Sequence, residues 1–361
     1  MSMKTMNAVL GSTSEHYKKL GLKKGQIEKW EDGMRTDGSE GTYEWWYFDA
    51  HLNDGSKLVI VFFTKPYIEN NKPLTPFVTF NLDLSDGRTI KKIYQTSEKD
   101  FFASNDQCEV RIGPNIFKGD LNTYQIHIEI DDVLADITIK GAVPSWRPET
   151  GHWFYGNGEE KYFAWLPSVP YGIVEADIKI DNTIQHYIGT GYHDHNWGNT
   201  PMMELMNNWY WARAQIGDYT VIASFITAEQ KYGYETFPIF MLAKENEIIV
   251  DNERNVRFTA CNKYVDSFTG KPVANTTVYD YKDDTHHYTI TFQREKNLVV
   301  HKFIDELTGK IKESAIQSGF DGSYLRFTGD VQLERFEGDE VVETLNEEAI
   351  WDLMYFGKVR Q

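Results

Sequence analysis

The residue types best suited to chemistry cluster in the segment Gly191–Gly198, which reads Gly-Tyr-His-Asp-His-Asn-Trp-Gly. If this segment is an extended strand, alternate side chains share a face. One face then carries His193, His195 and Trp197, and the other carries Tyr192, Asp194 and Asn196. A carboxyl group beside imidazole and phenol groups can form an acid–base pair with shifted pKa values. We therefore predict catalytic roles for Tyr192, His193 and Asp194.

Two other interpretations of this segment stay open from the residues alone. The spacing of His193 and His195 is one that metal sites use, but no spacing in the chain indicates the third and fourth ligands that such a site needs. Alternatively, the side chains form a buried hydrogen-bond network that ties the end of one domain to the next strand. We predict no metal site.

A second candidate strand is aromatic and begins with a carboxylate, in the order Glu-Trp-Trp-Tyr-Phe-Asp from Glu44 to Asp49. Among aromatic rings, Glu44 could have a raised pKa and act as a catalytic acid. The other interpretation, which we slightly favour, is a hydrogen-bonded carboxylate at the start of a strand. Aromatic strands line cores or apolar pockets. The predicted substrate-binding residues are Trp45, Trp46, Tyr47, His195, Trp197, Trp209, Trp211 and Trp351.

The aromatic strand recurs in the second half of the chain as Asn208–Ala214. Trp209 matches Trp45, and Trp211 matches Tyr47. This internal similarity predicts a duplicated β domain in which each copy opens on an aromatic strand.

The closing strands of the two halves correspond as well, since Asp194 falls on Asp352 in the same comparison. Within the repeated aromatic strand, Arg213 is a candidate catalytic clamp for a substrate carbonyl or enolate. It is equally plausible as an ion-pair partner of a nearby acidic residue.

The pattern along the chain predicts an all-β architecture. Short alternating segments separated by frequent turns are typical of sandwiches or barrels. We predict an irregular lead-in over 1–40, one β domain over 41–200 and a second over 201–361. The proline-rich and aromatic segment 144–172 is expected to be irregular and to form a lid or a pocket wall.

Composition limits the classes of function. The formal net charge of −17 disfavours binding to nucleic acid and to acidic membranes. Two cysteines make a disulfide framework improbable, and no signal peptide or apolar membrane span is recognisable. These features predict a cytoplasmic protein. Glycine-rich nucleotide motifs, a P-loop and a nucleophile elbow are missing from the sequence, so we predict no cofactor.

The motifs Tyr43–Ala50, Gly191–Gly198 and Ala349–Gly357 together resemble the AttH/carotenoid 1,2-hydratase-like proteins, a group that includes lipocalin-like Diels–Alderases. The resemblance covers about residues 40–361. It implies two lipocalin-like β-barrel or sandwich domains, related by internal duplication, with an apolar pocket within or between them. It also implies an apolar polyene, polyketide or terpenoid as the small-molecule partner.

Three functions follow from these observations. The leading hypothesis is a cofactor-independent [4+2] cyclase that folds a polyene in an aromatic pocket and acts through proximity and a hydrogen-bond donor. The second is a hydratase or isomerase of a double bond, with Asp194 or Glu44 as the acid. The third is a carrier of an apolar metabolite without catalysis, because a fold does not determine a function.

Overall fold

The computed structural model describes residues 5–66, 71–180, 183–318 and 320–359. Most of its regular elements are antiparallel strands, which form two sheets. The described residues divide into two compact units. Those within Val9–Pro201 form the first unit, and those from Met202 onward form the second together with residues 5–8. The predicted all-β class is confirmed.

Alternating apolar and polar residues form the strands up to the end of the first unit, because successive side chains of a strand point to opposite faces. In chain order these strands are β1 (Ala8–Leu10), β2 (Tyr43–Leu52), β3 (Lys57–Phe63), β4 (Phe77–Asp83), β5 (Thr89–Gln95), β6 (Phe101–Ala103), β7 (Glu109–Ile112), β8 (Asn115–Gly119), β9 (Thr123–Ile130), β10 (Val133–Gly141), β11 (His152–Tyr155), β12 (Lys161–Ile180) and β13 (Thr183–Gly198).

The second unit is also built from strands of alternating apolar and polar residues. Its strands are β14 (Met206–Ile216), β15 (Tyr219–Ala228), β16 (Thr236–Lys244), β17 (Glu247–Val250), β18 (Val256–Val265), β19 (Pro272–Lys282), β20 (His287–Lys302), β21 (Ser323–Glu337) and β22 (Glu340–Tyr355).

Helices are short in both units. The α-helices are α1 (Ser14–Leu20), α2 (Met202–Leu205), α3 (Phe303–Glu306) and α4 (Gly309–Ser318), and the 3-10 helices are Lys29–Asp32, Glu98–Asp100, Gln230–Tyr232 and Glu253–Asn255. No helix in the described part of the chain is long and apolar enough to span a membrane.

The strand orders of the two sheets repeat each other. The main path of the first sheet runs β5-β4-β3-β2-β13-β12-β10-β9-β8-β7-β6, with β11 pairing with β1 and β12 beside it. The second runs β17-β16-β15-β14-β22-β21-β20-β19-β18. In each sheet the closing strand of the unit, β13 or β22, pairs with the strand that carries the aromatic repeat.

The register of these closing pairs is also repeated. Tyr47 lies opposite Asp194 on β2 and β13, and Trp211 lies opposite Asp352 on β14 and β22. The sequence comparison matched these same residues between the halves. The structure therefore supports the predicted internal duplication.

Each sheet curls around its own aromatic core. The ring of Phe62 on β3 lies 5.6 Å from that of Phe117 on β8, although these strands are not neighbours in the sheet. In the second unit, Phe240 on β16 and Tyr281 on β19 are related in the same way, with ring centroids 5.8 Å apart. The curl brings these distant strands together and encloses the core. Burying each such side chain contributes about 1.5–3 kcal/mol of transfer free energy, which stabilises the curled sheet.

The expectation of an irregular segment over 144–172 is wrong, because the segment contains β11 and the first half of β12. Pro167 and Pro170 lie in the stretch between Leu166 and Gly172, where the register of β12 on β13 shifts twice. Proline is tolerated at such irregularities because its nitrogen is not required to donate to the ladder. The prolines that suggested a loop are therefore accommodated within a long strand. The turn expected at Asp181-Asn182 lies outside the described residues.

Replacing Trp351 by alanine tests the second core. The side chain is 2 % exposed, and its ring lies 5.4 Å from Phe292 and 5.9 Å from Phe327. We expect W351A to lower the free energy of unfolding in urea by about 3–5 kcal/mol, since it leaves a large cavity. The control V341A removes an exposed side chain from the same strand and should change that energy by less than about 0.5 kcal/mol. Equal effects of the two variants would contradict the assigned core.

Candidate functional site

Strands β2 and β13 place the two predicted polar clusters side by side. Trp46 lies opposite His195, and Tyr47 lies opposite Asp194. Directly opposed residues of antiparallel strands point to the same side of the sheet, so the predicted alternation is confirmed. One face carries Glu44, Trp46, His193, His195 and Trp197, and the other carries Trp45, Tyr47, Tyr192, Asp194 and Asn196.

Asp194 is buried and accepts hydrogen bonds from three side chains. Trp165 Nε1 and the Tyr192 hydroxyl each donate to Oδ2 over 2.8 Å, and Asn196 Nδ2 donates to Oδ1 over 2.7 Å. Two of these donors flank Asp194 on the same face of β13, and the third comes from β12. Sequence reasoning missed Trp165 because it lies in the segment expected to be irregular.

The surroundings of Asp194 favour the protonated forms of its carboxyl group and of the neighbouring phenol. Burial raises the pKa of Asp194 to about 6, although the hydrogen bonds from Tyr192 and Trp165 favour the charged form. Burial, the nearby Asp194 charge and the hydrogen bond to it hold the pKa of Tyr192 well above its usual value. Near pH 6 the carboxyl group is therefore partly protonated, while the phenol keeps its proton. Such a carboxyl group can act as a general acid.

Aromatic rings surround Asp194 on this face of the sheet. Tyr47 meets Tyr192 edge-on with ring centroids 6.2 Å apart, and its hydroxyl donates to Asp49 Oδ2 over 3.1 Å. Trp45 lies 6.4 Å from Phe163. The setting is apolar with a small number of oriented polar groups, as is typical of small-molecule sites.

The opposite face of β13 points into the core of the first unit and carries a buried ion pair. His193 Nδ1 is 2.8 Å from the carbonyl of Tyr47, which can only accept, so Nδ1 holds a proton. His193 Nε2 is 3.2 Å from Asp32 Oδ2, to which the Tyr124 hydroxyl also donates. Burial raises the pKa of Asp32, but the charges of His193 and His195 and these hydrogen bonds outweigh it and hold that pKa below its usual value.

Glu44 is fully buried, and hydrogen bonds occupy both of its carboxylate oxygens. The backbone N–H groups of Arg35 and Thr36 donate to it over 2.6 and 2.9 Å, and the Thr36 hydroxyl donates over 2.8 Å. His195 Nε2 lies 2.7 Å from Oε1. This geometry favours the interpretation of Glu44 as a hydrogen-bonded carboxylate that ties the segment before β2 to the end of β13. Asp194 is then the better candidate for a proton donor.

Sequence reasoning also missed Asp32, because it lies in the segment expected to be an irregular lead-in. In the structure this segment belongs to the first unit from Val9 onward, and Trp46 Nε1 donates to the Asp32 carbonyl over 3.1 Å. The neighbouring Glu31 accepts from Arg147 Nε over 2.7 Å. An acidic pair in a polar turn resembles an ordinary surface turn in sequence, and its burial depends on these distant partners.

Asp32, Cys108 and His193 form a group in the described residues that could hold a metal ion. One ligand atom from each lies within 4.8 Å of the others, and all three side chains are buried. Burial and the nearby Asp32 charge raise the pKa of Cys108 well above its usual value, which disfavours the thiolate that metals bind. Tyr124 and His193 already hydrogen-bond to Asp32, so the hydrogen-bond network is the better description of this group.

The remaining predicted residues belong to the second unit. Three half-buried side chains share one face of β14: Trp209, Trp211 and Arg213. Trp351 lies in the core, on the opposite side of β22 from Asp352. Asp352 accepts from the Tyr324 hydroxyl over 2.8 Å and from Arg326 Nε over 3.0 Å. The repeat therefore keeps a carboxylate at this position but surrounds it with different donors.

Comparison with known proteins identifies the family. A family model described as Diels-Alderase-like matches residues 28–306, a range that includes β2, β13 and most of the second unit. The chain belongs to the Diels-Alderase-like family. The resemblance to this lipocalin-like group, inferred from the sequence motifs, is thereby confirmed.

Curated relatives match parts of the chain. A hydroxyneurosporene dehydrogenase of Chlorobaculum tepidum is 27% identical over 205 residues, which cover 48% of this chain and 53% of that protein. The Diels-Alderase poxQ of Penicillium oxalicum is 24% identical over 127 residues, covering 34% of this chain and 28% of that protein. The chain thus spans about half, or less, of the length of these relatives. Both carry the names of enzymes.

Solved structures share the fold over nearly the whole chain. CghA, whose structure has also been determined with Sch210972, gives a TM-score of 0.60 at 12% identity, covering 99% of this chain and 100% of that chain. Kievitone hydratase from Nectria haematococca gives a TM-score of 0.55 at 12% identity, covering 98% of each chain. At this identity the likeness shows the fold alone.

The exchange of Asp32 for asparagine tests the buried ion pair. D32N leaves His193 without its counter-ion, so we expect the free energy of unfolding at pH 7 to fall by about 3–5 kcal/mol. Because the folded state lowers the pKa of Asp32, its contribution is present above the unfolded pKa of about 3.9 and is lost as the pH falls through the folded value. The difference between D32N and the unaltered protein should therefore shrink at low pH, as measured by urea unfolding across pH.

The matched control for this experiment is D177N. Asp177 on β12 pairs with His186 on β13 over 2.9 Å, and both side chains are more than half exposed. Exposed pairs contribute little, so D177N should change the free energy of unfolding by less than about 0.5 kcal/mol. A D32N variant as stable as D177N at pH 7 would contradict the ion pair.

Proposed function

We propose that this chain is an enzyme that protonates an apolar, unsaturated small molecule, and that its reaction is the addition of water to a carbon–carbon double bond or the reverse elimination. The main supporting observation is the buried Asp194 carboxyl group, whose pKa is raised to about 6 among aromatic rings. Protonating an alkene needs an acid that still holds its proton at working pH, and an ordinary aspartate does not.

The donors around Asp194 support the second half of such a proton transfer. Once the proton has moved to the substrate carbon, the carboxylate is left charged in a buried site. Trp165, Tyr192 and Asn196 already point their N–H and O–H groups at its oxygens. These oriented donors stabilise the anion without reorganisation, so they lower the barrier to proton transfer.

The aromatic residues support the carbocation that protonation creates. Trp45 and Tyr47 are half-buried on the same face of β2 that Asp194 occupies on β13, and ring faces attract positive charge. Water then adds to the cation, and its released proton returns to Asp194, which restores the acid. Atoms and charges balance, and the cycle needs no electron transfer.

A [4+2] cyclisation is the second candidate, because the family model is Diels-Alderase-like and the relative poxQ is named a Diels-Alderase. In that reaction, protonated Asp194 or Tyr192 would only hydrogen-bond a dienophile carbonyl, and no substrate carbon would exchange a proton with solvent. Incubation with a panel of linear polyenes in deuterated water separates the two candidates. Hydration predicts a mass gain of one water with one deuterium on carbon. A cyclic isomer without deuterium would instead establish the cyclase.

Replacing Asp194 by asparagine tests the acid. D194N keeps the size of the side chain but cannot donate the proton, so we expect kcat to fall by about 10²–10⁴-fold. In the unaltered protein the rate should decline above about pH 6, where Asp194 loses its proton. D177N, on the exposed side of β12, is the control and should keep full activity. A kcat of D194N within a factor of two of that of the unaltered protein would contradict the proposal.

Replacing Tyr192 by phenylalanine tells whether the phenol is itself the acid. The Tyr192 hydroxyl donates to Asp194 and so lowers the pKa of that carboxyl group. Its removal in Y192F should move the falling limb of the pH–rate profile to higher pH while turnover at low pH persists. Complete loss of turnover in a folded Y192F protein would assign the proton donor to Tyr192 instead.

A further inference from the structure

A separate cavity of about 530 Å³ lies within the first unit. Its volume falls in the range of small-molecule sites. Neither Asp194 nor Tyr192 lines it, and its residue from β13 is Trp197, which points to the opposite face of that strand. The lining includes Trp30, Arg35, His152, Phe154, Tyr162 and Trp197.

His152 presents an unused hydrogen-bond acceptor to this cavity. Its Nδ1 lies 2.7 Å from the carbonyl of Thr150, which can only accept, so Nδ1 carries the proton. Burial lowers the pKa of His152 to about 4, so the imidazole is neutral and Nε2 has a free lone pair. The side chain is 7 % exposed, and no hydrogen bond reaches Nε2 from any described residue.

The backbone holds His152 in this orientation. Gly151 has a φ of +69°, a conformation that glycine adopts without strain, and it turns the chain into β11. The Thr150 N–H donates to the Gly11 carbonyl over 3.1 Å, and His152 is in register with Ala164 on β12. The acceptor is therefore fixed before any ligand arrives, which reduces the ordering cost of binding.

The walls of the cavity are aromatic. The ring of His152 lies 5.3 Å from Trp197, 5.8 Å from Tyr162 and 5.8 Å from Phe154. These rings pack against His152 and line the cavity with aromatic surface, which binds flat aromatic molecules well.

The arginine side chains of the lining are already paired. Arg147 Nε donates to Glu31 over 2.7 Å, and its other nitrogens donate to the carbonyls of Lys23, Gln26 and Glu149. The Arg35 guanidinium donates to the carbonyls of Gly33 and Asn105. A ligand that paired with either guanidinium group would have to break these bonds, so the cavity favours a neutral ligand.

We propose that this cavity binds a neutral, planar aromatic molecule with one O–H or N–H group, which donates to His152 Nε2. The cavity is distinct from the Asp194 face, so this binding is independent of the proposed reaction.

Two probes of the same shape test the site, 2-naphthol and 2-methylnaphthalene, which differ only in the hydroxyl donor. Calorimetric titration of the full chain should show 2-naphthol binding about tenfold more tightly, since one hydrogen bond at a buried acceptor distinguishes them. In H152F, the affinity for 2-naphthol should fall to that for 2-methylnaphthalene. In D194N, both affinities should stay unchanged. Equal affinities for the two probes in the unaltered protein, or loss of 2-naphthol binding in D194N, would overturn the proposal.

A measurement on the unaltered protein covers the case in which H152F fails to fold. With nitrogen-15 histidine, the resonance of the unprotonated His152 Nε2 should shift when 2-naphthol is added and stay in place with 2-methylnaphthalene. A 2-naphthol complex that leaves this resonance unmoved would place the ligand elsewhere and refute the site.

Discussion

The register of β2 on β13 determines which side chains meet in the first unit. Because strands alternate their faces, a slip of one residue would bring His193 to the side now occupied by Asp194 and would remove it from Asp32. In the observed register the buried ion pair faces the core, and the proton-holding carboxyl group faces the other way. Ten consecutive residue pairs along these strands hold this arrangement in place.

The surroundings on the two faces of β13 shift the pKa values of the adjacent carboxyl groups in opposite directions. On the core face, Asp32 is surrounded by imidazole groups, and their positive charge lowers its pKa. On the other face, Asp194 has only neutral donors at its oxygens, so desolvation dominates and its pKa rises. Both groups are buried, and the difference comes from the charge of their partners. A strand with such different faces can therefore combine a stabilising ion pair with a group held ready for proton transfer.

Local pattern predicted a large part of this arrangement, and distant contacts explain what it missed. Period-two alternation was enough to assign the faces of β2 and β13, and the repeated aromatic strand indicated the duplication. Trp165 was missed because Pro167 beside it is typical of a loop, and only the register shifts of β12 show how the sheet accommodates it. Asp32 was missed because its burial depends on hydrogen bonds to Tyr124 and His193, which are far away in the chain.

The protonation of Asp194 is the central claim, and its titration can be measured directly. With carbon-13 aspartate, the side-chain carboxyl resonance that is missing in D194N belongs to Asp194, and its chemical shift can be followed across pH. The account predicts a midpoint near pH 6. A midpoint near the ordinary value of about 3.9 would show that Asp194 is ionised at working pH and would contradict its role as an acid.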